Sequence, residues 1–539
     1  MKIADLNTLP DDPAVLKKLL SEQSQTLHQK DTQLLEKETE LTQTVNLLQQ
    51  KTEQLDALQE QVNLLLHRRF GRSSEHYSPD QLGLFNEAEE ALDDVEIDDD
   101  TTAEDSVIVE QHQRRKKGRK PLPASLPRIE IIHDLADDEK FCPHDDHPLH
   151  RIGESSFEEL EIVPAVLKVY RHIRIKYGCR HCETGVYSAP LPPSPIPKSI
   201  ATPGLLAYIA VSKYLDALPL YRQEQMFKRI GVKLSRTTMA MWMIRVGEIL
   251  EPVLTALAQQ LLASAVVHMD ETRIQVLHVD GEPKKGLSQM WARVNGDSDR
   301  PIILFDFDPT RSAAVPLRLM ADYQGYLVTD GYKGYAAILR QPGVLGAGCW
   351  AHARRKFDEA IKSQGKPAKS GKAHQGLAFI QQLYRIERQI REQPPDERKR
   401  IRLAKASPLL DKIKAWLVSS IDEVPPRSKL GIAINYLATE WDHLGRYLED
   451  GRVPIDNNRC ENAIRPFVVG RKNWLFANTD NGAKASAAIY SVIETAKANG
   501  LDPYQYLRYL LTELPKGQHQ HIEDLLPFNL TPESIKVLS

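Results

Sequence analysis

The residues best placed to do chemistry are two aspartates, Asp270 and Asp330, which each follow an apolar stretch typical of a β-strand. If the two strands are neighbours, both carboxylates lie at one edge of a sheet and repel each other unless cations neutralise them. Hard divalent ions with oxygen ligands fit that need, Mg²⁺ above all, with Mn²⁺ as a substitute. Two such ions can activate a nucleophile and stabilise a leaving oxygen in phosphoryl transfer. For an isolated aspartate at a strand end, capping of a turn is the commoner role, so the surrounding sequence has to decide.

A third carboxylate is expected from a helix that packs beside the same sheet. Glu461 follows Asp330 by 131 residues, beyond a long helical stretch. Glu271 directly follows Asp270, but successive side chains on a strand point to opposite faces. We therefore expect Glu271 to face away from the metal ions.

The elements that must position these carboxylates begin at Ser264, where the sequence changes to short apolar strands. Three strands, a helix, a strand, a short helix and a strand form the order of a ribonuclease-H-like α/β fold. The predicted segments are 265–269, 290–294, 302–305, a helix at 312–320, 325–329 and 344–350. Residues 353–450 are predicted to be a mainly helical insertion, before loop and helix resume around Asp456.

Residues 204–262, just before this core, are predicted to be wholly helical, and two of their helices have helix-turn-helix spacing. The first covers 221–231 and ends at Gly231, and the second covers 235–246 with Ser235 as its N-cap. Arg236 is the candidate DNA contact on the second helix. Any pair of antiparallel helices could give this pattern, so the motif alone leaves DNA binding open.

A heptad pattern occupies the N-terminal part of the chain. Apolar residues recur at every seventh position: Leu20, Leu27, Leu34, Leu41, Leu48, Leu55 and Val62. Seven such positions favour a coiled coil, although the positions that would complete the seam are mostly polar. We expect this helix to make the protein at least dimeric, or to pair with another protein. The alternative is a single amphipathic helix packed on the body.

The charge of the chain is divided unevenly. Residues 1–105 carry 9 Lys and Arg against 24 Asp and Glu, a balance of −15, so the rest carries +12 although the whole chain is only −3. A basic body favours a polyanionic partner. Residues 87–105 hold 11 acidic side chains among few apolar ones, and a disordered linker is expected there.

The sign of the charge reverses at a basic run with a Gly-Arg-Lys-Pro core. This core resembles an AT-hook, a narrow extended segment that suits the DNA minor groove. A merely solvated charge run is the alternative. The candidate DNA-binding residues of the run are Arg114, Arg115, Lys116, Lys117, Arg119 and Lys120.

Length and composition exclude several classes of protein. The 539 residues correspond to about three to four domains, which excludes a single small binding module. With 41% hydrophobic and 27% charged residues, the chain is typical of a soluble globular protein, and it has no apolar run near the roughly 18 to 20 residues of a membrane helix. Asp5 breaks the order of a secretory signal, so we expect a cytoplasmic protein without a membrane partner. Five cysteines, an odd number, argue against a disulfide framework.

Several motifs together resemble the transposases of the insertion-sequence 66 family, which are DDE-type enzymes. The motifs are Met269-Asp270-Glu271-Thr272, Thr329-Asp330-Gly331-Tyr332, the Cys-Trp-Ala-His-Ala-Arg-Arg-Lys-Phe run at 349–357, and 455–466 followed by 470–476. The resemblance extends over nearly the whole chain, through the heptads, residues 69–75, the basic run, the cysteine region and residues 501–507. It implies that Asp270, Asp330 and Glu461 form the metal-binding triad of a DNA strand-transfer enzyme.

Basic residues near these motifs are candidate contacts to DNA phosphates, with solvated surface as the alternative. They are His352, Arg354, Arg355, Arg465, Arg471 and Lys472. Trp474 could stack on an unpaired base or could pack inside the protein. Cys349 and Cys460 are expected to be packing residues.

The cysteine region departs from the family pattern. Similar proteins have two Cys-x-x-Cys pairs here, which implies one tetrahedral Zn²⁺. This chain has Cys179 and Cys182 but only Cys142 at the first pair, where Asp145 takes the place of the second cysteine. The fourth ligand would be one of His144, Asp145 and His147. A degenerate knuckle without metal is the alternative.

The leading interpretation is a bacterial transposase that binds the ends of its own element, cleaves them and transfers the 3′ ends to target DNA. Its partners would be double-stranded DNA, further copies of itself through the coiled coil, and small accessory proteins of the same element. The rivals are a catalytically inactive DNA-binding regulator and a ribonuclease-H-like nuclease without strand transfer. The expected multidomain α+β organisation is 1–75 coiled coil, 76–113 linker, 114–127 basic segment, 128–188 zinc-binding-like domain, 189–203 proline-rich linker, 204–262 helical region, 263–357 and 451–500 catalytic core, 358–450 insertion and 501–539 tail.

Overall fold

A computed structural model describes residues 12–70, 167–178, 186–188, 190–296, 299–364, 371–517 and 521–536. The chain divides into two compact units, one formed by Met1–Val95 with Pro193–Ser539 and the other by Glu96–Pro192. The expected linker, the basic run and all six candidate zinc ligands lie outside the described residues. Among the described helices, none is both long enough and apolar enough to cross a bilayer.

The described residues form helices and strands that we number in chain order. The helices are α1 Pro13–Phe70, α2 Pro203–Tyr214, α3 Leu220–Arg229, α4 Arg236–Ile249, α5 Glu251–Leu262, α6 Ala314–Leu319, α7 Trp350–Ser363, α8 Lys372–Gln389, α9 Pro395–Ile401, α10 Ser407–Ile421, α11 Lys429–Thr439, α12 Trp441–Gly445, α13 Asn458–Trp474, α14 Asp480–Ala498 and α15 Pro503–Glu513. The strands are β1 Lys176–Gly178, β2 Val186–Ser188, β3 Val266–Val279, β4 Glu282–Pro283, β5 Ser288–Asn295, β6 Ile303–Asp308, β7 Gly325–Val328, β8 Val344–Ala347 and β9 Phe476–Thr479. Short 3₁₀ segments and one π-helical turn at Arg402–Ala406 complete the set.

The main sheet has the strand order β6-β5-β3-β7-β8. Within this order, β3 pairs antiparallel with β5, and β5 pairs antiparallel with β6. On the other side, β7 is parallel to β3, and β8 is parallel to β7. Every residue of β5 is buried, as expected of an inner strand that is covered on both faces. This order places β3 at the centre, next to both β5 and β7.

At the β6 edge of the sheet, side chains of α14 form hydrogen bonds with the strand backbone. Ser491 Oγ accepts a hydrogen bond from the backbone N–H of Phe305 at 2.7 Å, and Thr495 Oγ1 accepts one from Ile303 N–H at 3.1 Å. Thr495 also donates to the carbonyl oxygen of Ile303 at 2.8 Å. Backbone groups of β6 that would otherwise face outward are therefore paired within the fold.

The helical region before the core packs directly on α14. Residue Gly247 on α4 makes this possible, because a Cβ there would come within 2.9 Å of the Ala485 backbone. The predicted helix pair is confirmed: α3 ends before Gly231, which has a φ of +86°, and the Ser235 side chain caps α4 by accepting from Thr238 N–H at 3.1 Å. Arg236 lies exposed at the first turn of α4, with its guanidinium 5.9 Å from the centre of the Tyr221 ring.

The N-terminal heptads fall on one 58-residue helix, α1. Its heptad side chains, from Leu20 to Val62, are all exposed. Among the described residues of this unit, α1 makes its hydrogen bonds to the body near its C-terminal end: Asn63 donates to the Ser363 carbonyl at 3.0 Å, and Glu60 accepts from Lys429 N–H at 2.9 Å. The alternative of a helix packed along the body is therefore wrong for most of its length.

The insertion between β8 and α13 is helical, as predicted, and has its own apolar core. The buried Arg402 guanidinium donates to both carboxylate oxygens of Glu387 and to the carbonyls of Tyr447, Asp450 and Val453. Arg402 therefore connects its own π-helical turn with α8 and with the segment at 447–453.

Two sequence expectations about the core need correction. Asp270 does not end its strand: β3 continues to Val279, where its outer half pairs with β4 and with the unexpected strand β9. The last predicted strand stops at Ala347, and Trp350 begins α7 instead. The outer half of β3 carries exposed polar residues, which is why its apolar pattern stopped early in the sequence.

Candidate active site

The three predicted carboxylates come from three different elements around the centre of the sheet. Asp270 lies in β3 opposite Ala292 of β5, and its Oδ1 accepts from Glu271 N–H at 2.8 Å. Asp330 lies two residues after β7, and its Oδ1 accepts from Tyr332 N–H at 2.8 Å. Glu461 is buried in the first turn of α13, the predicted helix beside the sheet.

The start of α13 is fixed to β3 by Asn457, which is fully buried. Its Nδ2 donates to the Met269 carbonyl at 3.0 Å, and its Oδ1 lies 2.9 Å from Nδ1 of His268. Its backbone N–H also donates to Cys349 Sγ at 3.2 Å. Asn457 thus sets the position of Glu461 relative to Asp270, which directly follows Met269.

A second contact holds the same loop from the side of the insertion. The Tyr384 hydroxyl of α8 donates to Asp456 Oδ2 at 2.7 Å, and Asn458 Nδ2 donates to the same oxygen at 2.6 Å. The insertion therefore supports the loop that leads into the glutamate helix. The sequence signal for these residues was the run Asp456-Asn457-Asn458, which is polar but lies between buried apolar residues.

The carboxylates act on each other electrostatically. Burial raises the pKa of Asp270 well above its ordinary value, and the charges of Asp330, Glu271 and Glu461 raise it further. Burial also raises the pKa of Asp330 and of Glu461, although Arg355 partly opposes the effect on Glu461. A concentration of like charges in a poorly solvated site is the situation that a divalent cation relieves.

The donor set fits such a cation. Glu461 Oε1 is buried and accepts no hydrogen bond from the described residues. Carboxylate oxygens are the ligands that Mg²⁺ and Mn²⁺ prefer, so Asp270, Asp330 and Glu461 are chemically suited to hold them. A cavity of about 220 Å³ opens here, and its lining residues are Asp270, Glu271, Thr272, His352, Arg355, Glu461 and Ile464.

Glu271 lines this cavity too, but other residues already hold its carboxylate. Its side chain is only 1% exposed; Arg311 Nε donates to Oε1 at 2.7 Å and the Tyr335 hydroxyl donates to Oε2 at 2.5 Å. The Arg311 guanidinium also lies 3.6 Å from the centre of the Tyr332 ring. Sequence reasoning missed Arg311 and Tyr335, because Glu271, which they contact, lies 40 and 64 residues away along the chain.

His352 and Arg355, on α7, lie on the other side of Glu461. Arg355 Nη2 is 3.3 Å from Glu461 Oε2, and His352 Nδ1 is 3.6 Å from Oε1. Burial, followed by the charges of Arg355 and Lys356, lowers the pKa of His352 to about 3. A neutral imidazole can still donate one N–H to a phosphate oxygen, so the phosphate contact expected from the sequence stays a prediction.

Cys349 lies close to the same two side chains. Its sulfur, a His352 nitrogen and a Glu461 oxygen lie within 4.8 Å of one another, a mixed set of donors that could hold a metal ion. Cys349 and Cys460 are both buried and free, which confirms the expectation that they are packed inside the protein.

The remaining candidate contacts are distributed around the cavity. Arg354 and Arg465 are half-buried, and the charge of Arg465, like that of Arg355, partly opposes the rise in the pKa of Glu461 that burial causes. Lys472 is exposed in the last turn of α13, where half-buried Arg471 Nη1 donates to Thr272 Oγ1 at 3.1 Å. Trp474 is half-buried against Phe467, with ring centres 5.6 Å apart, so packing is the alternative observed for this residue.

Comparisons with known proteins cover most of the chain. A family model described as "Transposase IS66 family" matches residues 198–485, which is more than half of the chain. Further models match residues 57–131 ("Transposase C of IS166 homeodomain"), 139–183 ("zinc-finger binding domain of transposase IS66") and 491–528 ("IS66 C-terminal element").

Two relatives from Sinorhizobium fredii match over most of their length. The uncharacterized protein y4jD is 34% identical over 77% of this chain and 82% of its own, and the uncharacterized protein y4qI is 31% identical over 99% of both. The matched family region contains all three carboxylates and the helices that position them. The chain belongs to the IS66 family of transposases.

Proposed function

We propose that this transposase cleaves DNA at the ends of its own element and joins the freed 3′ ends to target DNA by metal-dependent phosphoryl transfer. The observation that carries the proposal is the position of Asp270 in the central strand β3, of Asp330 just after its neighbour β7, and of Glu461 in α13, the helix that packs on β3. These residues come from separate parts of the chain, so their meeting is a property of the fold. The IS66 family membership supplies DNA as the substrate class.

The strand order supports a ribonuclease-H-like core for this reaction. The central strand β3 carries Asp270, its parallel neighbour β7 leads to Asp330, and α13 brings Glu461 from beyond the insertion. If the strands of the order β6-β5-β3-β7-β8 are renumbered 1 to 5 as they occur along the chain, the order becomes 3-2-1-4-5. Of the two strands next to the central strand β3, β5 is antiparallel to it and β7 is parallel. We assign the DDE catalytic type on this basis.

Asp270, Asp330 and Glu461 would hold two Mg²⁺ ions, for which Mn²⁺ could substitute. Bound there, such ions would supply Lewis-acid activation of the attacking oxygen and stabilisation of the departing one. The protein residues have separate tasks. Asn457 fixes the distance between α13 and β3, and Arg355 balances part of the charge of Glu461.

Positive side chains around the cavity would bind the DNA backbone. The candidates lie on two helices, α7 and α13, the second of which carries Glu461. They are Arg354, Arg355, Arg465, Arg471 and Lys472. Contacts of this kind position a duplex without reading its sequence. Sequence recognition would then fall to other segments, for which the exposed Arg236 on α4 and the basic run at 114–120 are the candidates.

The other proposed partners follow from the family and from α1. One Zn²⁺ would be held by Cys142, Cys179, Cys182 and one of His144, Asp145 and His147, in the region that matches the family's zinc-finger model. The exposed leucines of α1 would pair with a second copy. Small accessory proteins of the same element could join the assembly, and chromosomal DNA as substrate favours the cytoplasm.

The test is cleavage of a supercoiled donor plasmid that carries both element ends, in the presence of Mg²⁺. We expect Asp270→Asn, Asp330→Asn and Glu461→Gln each to lower cleavage and joining more than about a hundredfold, the scale of one well-placed electrostatic group. Binding to the element ends should persist. Glu494→Gln changes a buried carboxylate outside the site and serves as the matched control.

The outcomes separate the rival functions. Cleavage without joined products would indicate a nuclease, and end binding without cleavage by the unaltered protein would indicate a regulator. Robust cleavage by Glu461→Gln would contradict the assignment of the third ligand.

A further inference from the structure

The outer half of β3 extends past its pairing with β5, which ends at Ile274, and forms an arm with β4 and β9 beside the active site. We define the arm as residues 273–279 of β3, β4, and residues 475–479 around β9. Ile274 and Val276 of the arm are buried, whereas Arg273 and Gln275 alternate with them and are exposed. Gln275 pairs with Phe476 in the parallel register of β3 and β9, so Phe476 belongs to the exposed face.

Two arginines meet at the base of this arm without a counter-charge. Arg471 donates to the backbone carbonyl of Arg273, and it also contacts Thr272. Burial, and then the positive charge of Arg273, lower the pKa of Arg471. Within the part of the chain that the structure describes, neither guanidinium has an ion pair with a carboxylate.

This arrangement differs from that of the other arginines near the site. Arg311 is paired with Glu271, and Arg355 is paired with Glu461. Two guanidinium groups that repel each other next to an open cavity are suited to bind an anion, and their planar donors match a phosphate. Lys472, exposed beside Arg471, adds to the same positive potential.

The exposed face of the arm is also apolar. The Phe476 residue is 44% exposed and Leu475 is 63% exposed. Leu475 has a φ of 66° and a ψ of −52°, a backbone conformation that is unfavourable for a residue with a side chain. The fold thus accepts a strained residue at the point where the chain leaves α13 and presents Phe476.

The arm continues the strand that carries Asp270. Gln275, the partner of Phe476, lies five residues beyond Asp270, about 16 Å along the strand at 3.3 Å per residue. Thr272 lines the cavity and contacts Arg471, so the two surfaces are continuous. A polymer that leaves the cavity along β3 would meet the arginines first and the aromatic ring next.

We propose that the arm binds an unpaired DNA strand next to the cleavage site, with Arg273 and Arg471 on a phosphate and Phe476 stacked on a base. A base inside a duplex has no free face, whereas any unpaired base can stack on an aromatic ring regardless of its identity. The inference extends the proposed function, since it assumes that the cavity is where DNA is cut.

The test measures binding of the full-length protein to two DNA probes without Mg²⁺. One probe is a blunt duplex of arbitrary sequence, and the other is the same duplex with a short unpaired tail that contains 2-aminopurine. We expect the tailed probe to bind about tenfold more tightly, the scale of one base stacked on an aromatic ring. Stacking on Phe476 should also quench the 2-aminopurine fluorescence.

The variants assign the effect to the arm. Phe476→Ala should remove the preference and the quenching, and Phe476→Trp should keep both. Arg273→Ala should weaken tail binding and lower the slope of log affinity against log salt by about 0.7, the loss of one single-strand phosphate contact. Val418→Ala and Arg388→Ala, exposed residues of the insertion, are the controls and should change neither.

Three results would overturn the inference: no preference for the tailed probe, a preference that survives Phe476→Ala, or an equal loss in the controls. The assay involves no cleavage, so its result is separate from that of the carboxylate substitutions. If the Asp270→Asn protein is inactive in cleavage but still prefers the tailed probe, the result supports DNA binding by the arm and shows that this binding does not depend on the catalytic step.

Discussion

The helical insertion and the acidic site both bury charged side chains, but the buried arginine of the insertion is matched by a carboxylate, whereas the acidic site collects four carboxylates of like charge. Arg402 is fully enclosed and meets the Glu387 carboxylate at 2.7 Å, with three carbonyls around it. In the acidic site, burial and neighbouring negative charges raise the pKa of Asp270 and of Glu271, while Arg311 forms an ion pair with Glu271 and Arg355 forms one with Glu461. A buried charge that is compensated internally is structural, and an uncompensated one marks a site built for something from outside.

The largest effect should come from breaking the compensated pair. Arg402→Ala leaves Glu387 and three carbonyls without their donor, and we expect a loss of about 3 to 5 kcal/mol in the free energy of unfolding. Urea unfolding followed by tryptophan fluorescence measures it, and Arg388→Ala on α8 is the exposed control. A loss below about 1 kcal/mol would mean that the insertion does not depend on this charge.

A smaller effect is expected where the two regions meet, at Asn457. Asn457→Ala removes two buried side-chain hydrogen bonds, to Met269 and His268, at a cost of about 2 kcal/mol. Because these bonds position Glu461, DNA cleavage per folded molecule should also fall. Asn499→Ala, which removes comparable bonds to Pro301 and Thr495, should cost stability alone. Equal cleavage by both variants would argue against a positioning role.

The uncompensated site should respond with the opposite sign. Asp270→Asn removes one of the mutually repelling carboxylates, so without metal the protein should gain roughly 1 kcal/mol in stability while it loses activity. Mg²⁺ should raise the melting temperature of the unaltered protein and not of the variant. Asp450→Asn, at a carboxylate whose pKa is lowered chiefly by the Arg452 hydrogen bond, should instead lower stability slightly. A destabilised Asp270→Asn protein would contradict the comparison.

The smallest effect is a pH dependence. The folded-state pKa values of Asp270, Asp330 and Glu461 are raised, so their contribution is most favourable below about pH 4 and is lost as the pH rises through the raised values. His268 and His352, with pKa values lowered to about 4 and 3, act oppositely and cost stability as the pH falls below about 6.5. The difference in melting temperature between the unaltered protein and the Asp270→Asn variant isolates the contribution of the carboxylates. We expect the difference to grow from pH 5 to pH 8 without metal.

The sequence predicted the parts of this site that depend on local pattern. The apolar strands and the Ser235 cap each follow from a periodicity or a motif within about ten residues, whereas the triad of Asp270, Asp330 and Glu461 is implied by the resemblance to the family and stays a prediction. Arg311 and Tyr335 could not be found in this way, because their roles depend on contacts 40 and 64 residues away along the chain. The outer half of β3 was missed for a related reason: its partner β9 lies about 200 residues later, and only one face of this half is buried.

The length of α1 sets a scale for any assembly of this transposase. A helix of 58 residues is about 87 Å long, and its hydrogen bonds to described residues of the catalytic unit lie near its C-terminal end. If two copies pair in parallel, both catalytic units lie at the same end of the rod, close enough to hold two DNA ends side by side. If they pair antiparallel, the rod separates the units by most of its length. The direction of pairing along α1 would therefore determine whether two element ends can be brought together.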